Sequence, residues 1–186
     1  MKVSPHYDTF IADMKKITFT IILWLIASAA DAQLSLRLMS YNMRYDNPDD
    51  GENRWEIRRD ALIGLLNFHS PDFIGTQELL NNQLEYIVAR IPDYGVVGVG
   101  RTDGKKEGEY ACILYNTRLF RVIEQSTFWL SPFPDSIGKR GWDASLERIC
   151  SYGLFEDRKS GQRFWFFNTH FDHIGAVEKL RKETGA

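Results

Sequence analysis

The chain has 186 residues, 44% of them hydrophobic and 13% aromatic, which fits one packed domain and excludes a disordered polypeptide. The 23 basic residues stand against 25 acidic ones, for a net charge of −2, so bulk charge gives no reason to expect a protein that coats nucleic acid. Two cysteines without a CxxC pair or a Cys/His cluster leave no basis for a structural zinc site.

Near the N-terminus, Met14-Lys15-Lys16 precedes an apolar run over 17–27 and the small residues Ala30-Asp31-Ala32. This reads as an export signal that starts at Met14 and is cleaved before Gln33. The run is shorter than the roughly 20 apolar residues of a membrane span, although a retained anchor is the plain alternative. The expected organisation is a signal segment over 1–32 and a domain over 33–186, exported to a periplasmic or extracellular space, with no stable membrane association after cleavage.

Residues 34–41 alternate apolar and polar side chains and lead into Asn42 as a strand. A polar loop rich in Asp, Asn, Pro and Gly follows over 45–53. Trp55, Ala61, Leu62, Leu65 and Leu66 then recur at helical spacing over 55–68, ended by Pro71. Residues 72–78 read as a short buried strand with Glu78 at its tip. A second helix is expected over 81–90, with Leu84, Ile87, Val88 and Ile91 inward. Strands are expected over 94–100, 109–115, 120–130, 148–156 and 162–168, the last two joined by a hairpin at 157–161. Residues 131–147, with two prolines and two glycines, form a long loop of the kind that often carries function. From Gly175 a further helix begins. Cys112 and Cys150 lie in apolar strand-like runs, where a buried free thiol is the commoner reading and a disulfide remains open in an exported protein.

Three polar clusters sit at strand ends: Ser40-Tyr41-Asn42, Thr76-Gln77-Glu78 and Asn168-Thr169-His170-Phe171-Asp172-His173. A carboxylate at Glu78 and a neutral oxygen at Asn42 suit a hard cation such as Mg²⁺ or Mn²⁺, which takes few protein ligands and leaves positions for phosphate. Taken singly, Asn42 is better read as a turn cap and Glu78 as a cap for the next helix; their combination with His170 argues otherwise. His170 can donate a proton or a hydrogen bond to a phosphoryl oxygen. A nearby carboxylate such as Glu109 would fix its tautomer and favour its charged form, though Glu109 reads equally well as a solvated loop acid. Arg148, after the long loop, is placed to contact phosphate bidentately. Asp172 offers second-shell support, and an exposed turn explains it equally well.

These clusters, with the Tyr-Asn-x-Arg start at Tyr41 to Arg44, resemble the endonuclease/exonuclease/phosphatase superfamily, and its exported bacterial members in particular. The resemblance runs from about Leu36 to Lys182 and implies an α/β fold, a four-layer α-β-β-α sandwich of the DNase I-like type. It implies metal-dependent phosphoester hydrolysis, with Asn42 and Glu78 at metal positions, His170 as a catalytic histidine paired with Glu109, and Arg148 near a substrate phosphate. The substrate class stays open: nucleic acid is possible, as are sugar and inositol phosphates, and the full-length protein is expected to be a monomer. The family's Gly-Asp-x-Asn segment is absent from the sequence, and the one late Asp-His pair, Asp172-His173, lies inside the first-histidine motif and does not supply the family's second histidine. The resemblance therefore implies only the N-terminal portion of such an enzyme, inactive by itself. A non-catalytic relic or a binder of phosphorylated ligands is the competing account.

Overall fold

The computed structural model of the chain describes residues 14–19 and 34–172. Residues 14–19 form a short helical segment, and no helix among the described residues is long and apolar enough to cross a membrane. The remainder of the 1–32 signal segment, His173 and the helix expected from Gly175 lie outside the described residues.

The domain proper opens with β1 (Leu38–Asn42), followed by α1 (Trp55–His69), β2 (Phe73–Gln77) and α2 (Asn81–Arg90). The strands β3 (Tyr94–Val97), β4 (Ile113–Asn116), β5 (Phe120–Trp129), β6 (Ile149–Asp157) and β7 (Arg163–Thr169) complete it. Two sheets result. The first has the order β1-β2-β4-β3, and the second is the antiparallel meander β5-β6-β7. Strand β1 runs parallel to β2, with Asn42 opposite Gln77, while β4 runs antiparallel to β2 and β3. The mixed α/β architecture with two sheets is the expected DNase I-like type.

Period-2 alternation assigns the faces of β2. Ile74 points outward to a core shared with Leu114, with Trp55, Leu62 and Leu66 of α1 and with Leu84, Ile87 and Ile91 of α2. Phe73 points the other way, into an inter-sheet core of rings that includes Phe120, Phe155, Phe164 and Phe166, with centroids 4.8–5.4 Å from its own. Burying several rings of this size supplies much of the apolar driving force of a small sandwich. On the far face of the second sheet, Trp165 and Phe167 remain 46% and 58% exposed.

Differences from the expectations follow from local geometry. Ala61 and Leu65 lie outside the α1 core stripe, which narrows to Trp55, Leu62 and Leu66. Strand β3 stops at Val97 because Gly98 turns to φ +134°. The strand expected over 109–115 starts only at Ile113. Before it, Tyr110 makes single bridges to Leu79 and to Gly100. Both cysteines are free and buried. Burial pushes the Cys112 thiol up to about 11 despite its hydrogen bond with Thr76, so it is chemically inert at neutral pH.

Candidate active site

Parallel pairing of β1 with β2 carries their C-terminal ends to the same edge of the sheet, so Asn42 and Glu78 meet there. Asn42 Nδ2 donates to Glu78 Oε1 at 2.8 Å, and Asn42 Oδ1 accepts the Arg44 N–H at 2.8 Å. Asn42 thus also holds a turn, as the plainer reading of a strand-end Asn has it. The turn is fixed from below by Gln83, fully buried, which donates to the Arg44 carbonyl at 3.0 Å and accepts the Leu80 N–H at 3.0 Å. That second bond caps α2, so Glu78 is not used as the helix cap. Glu78 instead adopts a left-handed φ of +58°, a strained setting for a side chain that concentrates at functional sites. Among the described residues Glu78 forms no ion pair, and no three His, Cys, Asp or Glu side chains converge as a ready-made metal cage. One carboxylate with an amide oxygen suits a hard cation that keeps water and takes phosphate, and does not suit zinc.

Sheet-to-sheet contact brings His170 to the same end. Asn168 reaches across from β7, donating from Nδ2 to the Thr76 and Cys112 carbonyls at 2.8 and 3.1 Å and accepting from Gln77 Nε2 at 3.2 Å. Its approach requires Gly75, where a Cβ would stand 2.4 Å from Asn168 Oδ1. The Leu79–Tyr110 bridge in turn sets the Glu109 segment beside Glu78.

Around the imidazole, charges alternate. Arg101 binds Glu109 with two hydrogen bonds, Nη1 to Oε2 at 3.0 Å and Nη2 to Oε1 at 3.1 Å. Glu109 Oε2 lies 3.8 Å from His170 Nδ1. Arg148 Nη1 lies 3.5 Å from the same nitrogen. Arg148 also donates to Asp172 Oδ1 from Nη2 at 2.9 Å and Nε at 3.3 Å, and Ser145 Oγ of the long loop donates to that oxygen at 3.1 Å. Burial pushes the Asp172 carboxyl up, but the bonds from Arg148 and Ser145 outweigh it and hold the group at about 2.

Two expectations change in this light. Burial, and then the Arg148 charge, lower the His170 pKa by more than Glu109 and Glu78 raise it, so the neutral ring is favoured. Glu109 raises that pKa, but burial and Arg148 come ahead of it. Arg148 is not an open phosphate clamp in this arrangement. Its side chain is only 6% exposed and is paired with Asp172, while His170 keeps 28% exposure. Arg101 and Gln83 were not singled out by the sequence. The turn glycines Gly104 and Gly108, both at positive φ, are the signal that folds Arg101 back opposite Glu109.

No family model matches the chain. Solved structures do. The chain is similar to the endonuclease/exonuclease/phosphatase from Bacteroides vulgatus, with a TM-score of 0.74 and 38% identity over 82% of this chain and 62% of that one. It is similar to a mannosyl-6-phosphatase of Bacteroides thetaiotaomicron, with a TM-score of 0.73 and 40% identity over 81% of this chain and 60% of that one. An uncharacterised protein of Acanthamoeba polyphaga mimivirus is 33% identical over 135 residues, 69% of this chain and 50% of that protein. In fold and in sequence the chain belongs to the endonuclease/exonuclease/phosphatase family, and it spans about three-fifths of the length of those solved members.

Proposed function

We propose that this chain contributes the cation-holding and histidine-bearing half of a divalent-metal-dependent phosphoester hydrolase. The observation that carries the reading is the strained Glu78 carboxylate, without an ion pair among the described residues and bonded to Asn42 at the sheet edge that His170 also reaches. Glu78 would hold Mg²⁺ or Mn²⁺ through its carboxylate, with Asn42 adding a neutral oxygen that does not repel an anionic substrate. When bound, such a cation supplies Lewis-acid charge to phosphoryl oxygens. His170, kept neutral, offers a ring N–H to a phosphoryl oxygen, and Arg148 with Asp172 braces the ring from behind.

The 40% identity to a mannosyl-6-phosphatase and the net charge of −2 favour a sugar phosphate over a nucleic acid as the substrate class. We further propose that the isolated chain turns nothing over. Two of its site acids are paired with arginines, and Glu78 is assigned to the cation, so among the described residues the group that would orient an attacking water has no evident candidate.

Calorimetric titration of the chain with a hexose 6-phosphate tests the reading. Binding is expected only with Mg²⁺ or Mn²⁺ present and is expected to vanish in Glu78→Gln. Binding that is indifferent to metal would favour a simple phosphate binder, and turnover by the chain alone would contradict the proposed division of the site.

A further inference from the structure

We infer that Arg101 is a positioning residue of this site: by capping both oxygens of Glu109 it sets how that carboxylate addresses His170. The inference deepens the hydrolase reading and takes from it only the role given to His170.

Arg101 grips the Glu109 segment twice. Its guanidinium makes the two parallel bonds to the carboxylate, at 3.0 and 3.1 Å, and its main-chain N–H donates to the Glu109 carbonyl at 3.2 Å. Arg101 is itself anchored, since its carbonyl accepts the Trp129 indole N–H at 2.7 Å. The pair is sheltered, with Arg101 and Glu109 side chains 10% and 19% exposed. A fork–fork pair is a geometric device as much as an energetic one, and a lysine cannot reproduce it.

The consequence lies at His170 Nδ1. A free carboxylate would close to hydrogen-bond distance and draw a second proton onto the ring. The capped one stays at 3.8 Å, beyond a hydrogen bond. On the other side Arg148, paired with Asp172, stands at 3.5 Å. The charged groups facing the ring are therefore Arg101 and Glu109 from the 100–112 segment, Glu78 beyond β2, and Glu147 and Arg148 ahead of β6. Asp172 acts through Arg148. Burial and then the Arg148 charge favour the uncharged imidazole, which can offer an N–H without delivering a proton, and the Arg101–Glu109 pair keeps the carboxylate from opposing them at hydrogen-bond distance.

The test follows the His170 ring by NMR across pH in the 186-residue chain, with chelator present so that metal affinity plays no part. The resonance is assigned by its loss in His170→Gln. In Arg101→Gln the titration is expected to move up by about one unit, tenfold in proton affinity, and Arg101→Lys is expected to recover part of the difference. In Arg101→Gln combined with Glu109→Gln the upward shift is expected to disappear, which separates action through Glu109 from the charge of Arg101 alone. An unmoved titration in Arg101→Gln, or an equal shift in the double variant, would overturn the assignment. If Arg101→Gln does not fold, Arg101→Lys decides: a smaller upward shift supports the role, and none refutes it. A purely structural arginine would lower stability without moving the ring.

Discussion

The two halves of the site are built on opposite plans. The cluster around His170 is closed: Arg101 with Glu109 and Arg148 with Asp172 satisfy each other's charge in sheltered pairs. The Asn42–Glu78 pair is open, with a strained carboxylate that has an amide for a neighbour and no ion pair among the described residues. In the proposed reading the closed half is framework and the open half a receptor.

That contrast sets the order of mutational effects. Removing Asp172 should cost most, because the buried Arg148 guanidinium would lose the two hydrogen bonds it donates to that carboxylate. Asp172→Ala is expected to lower unfolding stability by about 3 kcal/mol, read from urea denaturation, whereas Glu78→Gln should change it by less than about 0.5 kcal/mol. Comparable losses at both positions would erase the distinction between framework and receptor.

Next comes the joint between the sheets. Gly75→Ala drives a Cβ into Asn168 Oδ1 and is expected to cost about 1–3 kcal/mol. It should also displace the His170 ring signal, since Asn168 lies two residues away on β7. Loss of stability without any change at His170 would mean that the two halves are held together by other contacts.

Acid should weaken the closed half in two windows. The Asp172 carboxyl is held below its ordinary 3.8, at about 2, so it contributes stability present above pH 3.8 and lost as pH falls toward 2. His170 is lowered from its ordinary 6.5, so the unfolded chain binds its proton first and stability declines as pH falls below 6.5. His170→Gln should flatten only the upper window, as measured by denaturation at stepped pH. The smallest effect belongs to the open half. Glu78→Gly relieves the positive φ and is expected to stabilise the fold by no more than about 1 kcal/mol, while removing the carboxylate.

Much of the fold was legible in the sequence because its elements depend on local periodicity. The helix expected over 81–90 is α2 itself, and β5, β6 and β7 fall within one residue of the expected ends. The meeting of Asn42 with Glu78 and the nearness of His170 to Glu109 were legible because Asn42, Glu78 and His170 stand at strand tips. What the sequence did not reveal depends on contacts between segments. Arg101 faces Glu109 through a tight loop, Gln83 reaches back to Arg44, and Arg148 turns inward to Asp172. None of these pairings leaves a periodic trace, and the lowered pKa of His170 follows first from burial and then from Arg148 rather than from its nearest carboxylate.

The central claim is that Glu78, held by Asn42, is a receptor for a divalent cation. Electron paramagnetic resonance of Mn²⁺ titrated into the chain tests it most directly. The account predicts saturable loss of the free Mn²⁺ signal, displaced by Mg²⁺ and reduced at least about tenfold in affinity by Glu78→Gln, with Asp172→Asn leaving it unchanged in the folded protein. Binding that persists undiminished in Glu78→Gln, or no binding by the wild-type chain, would contradict it.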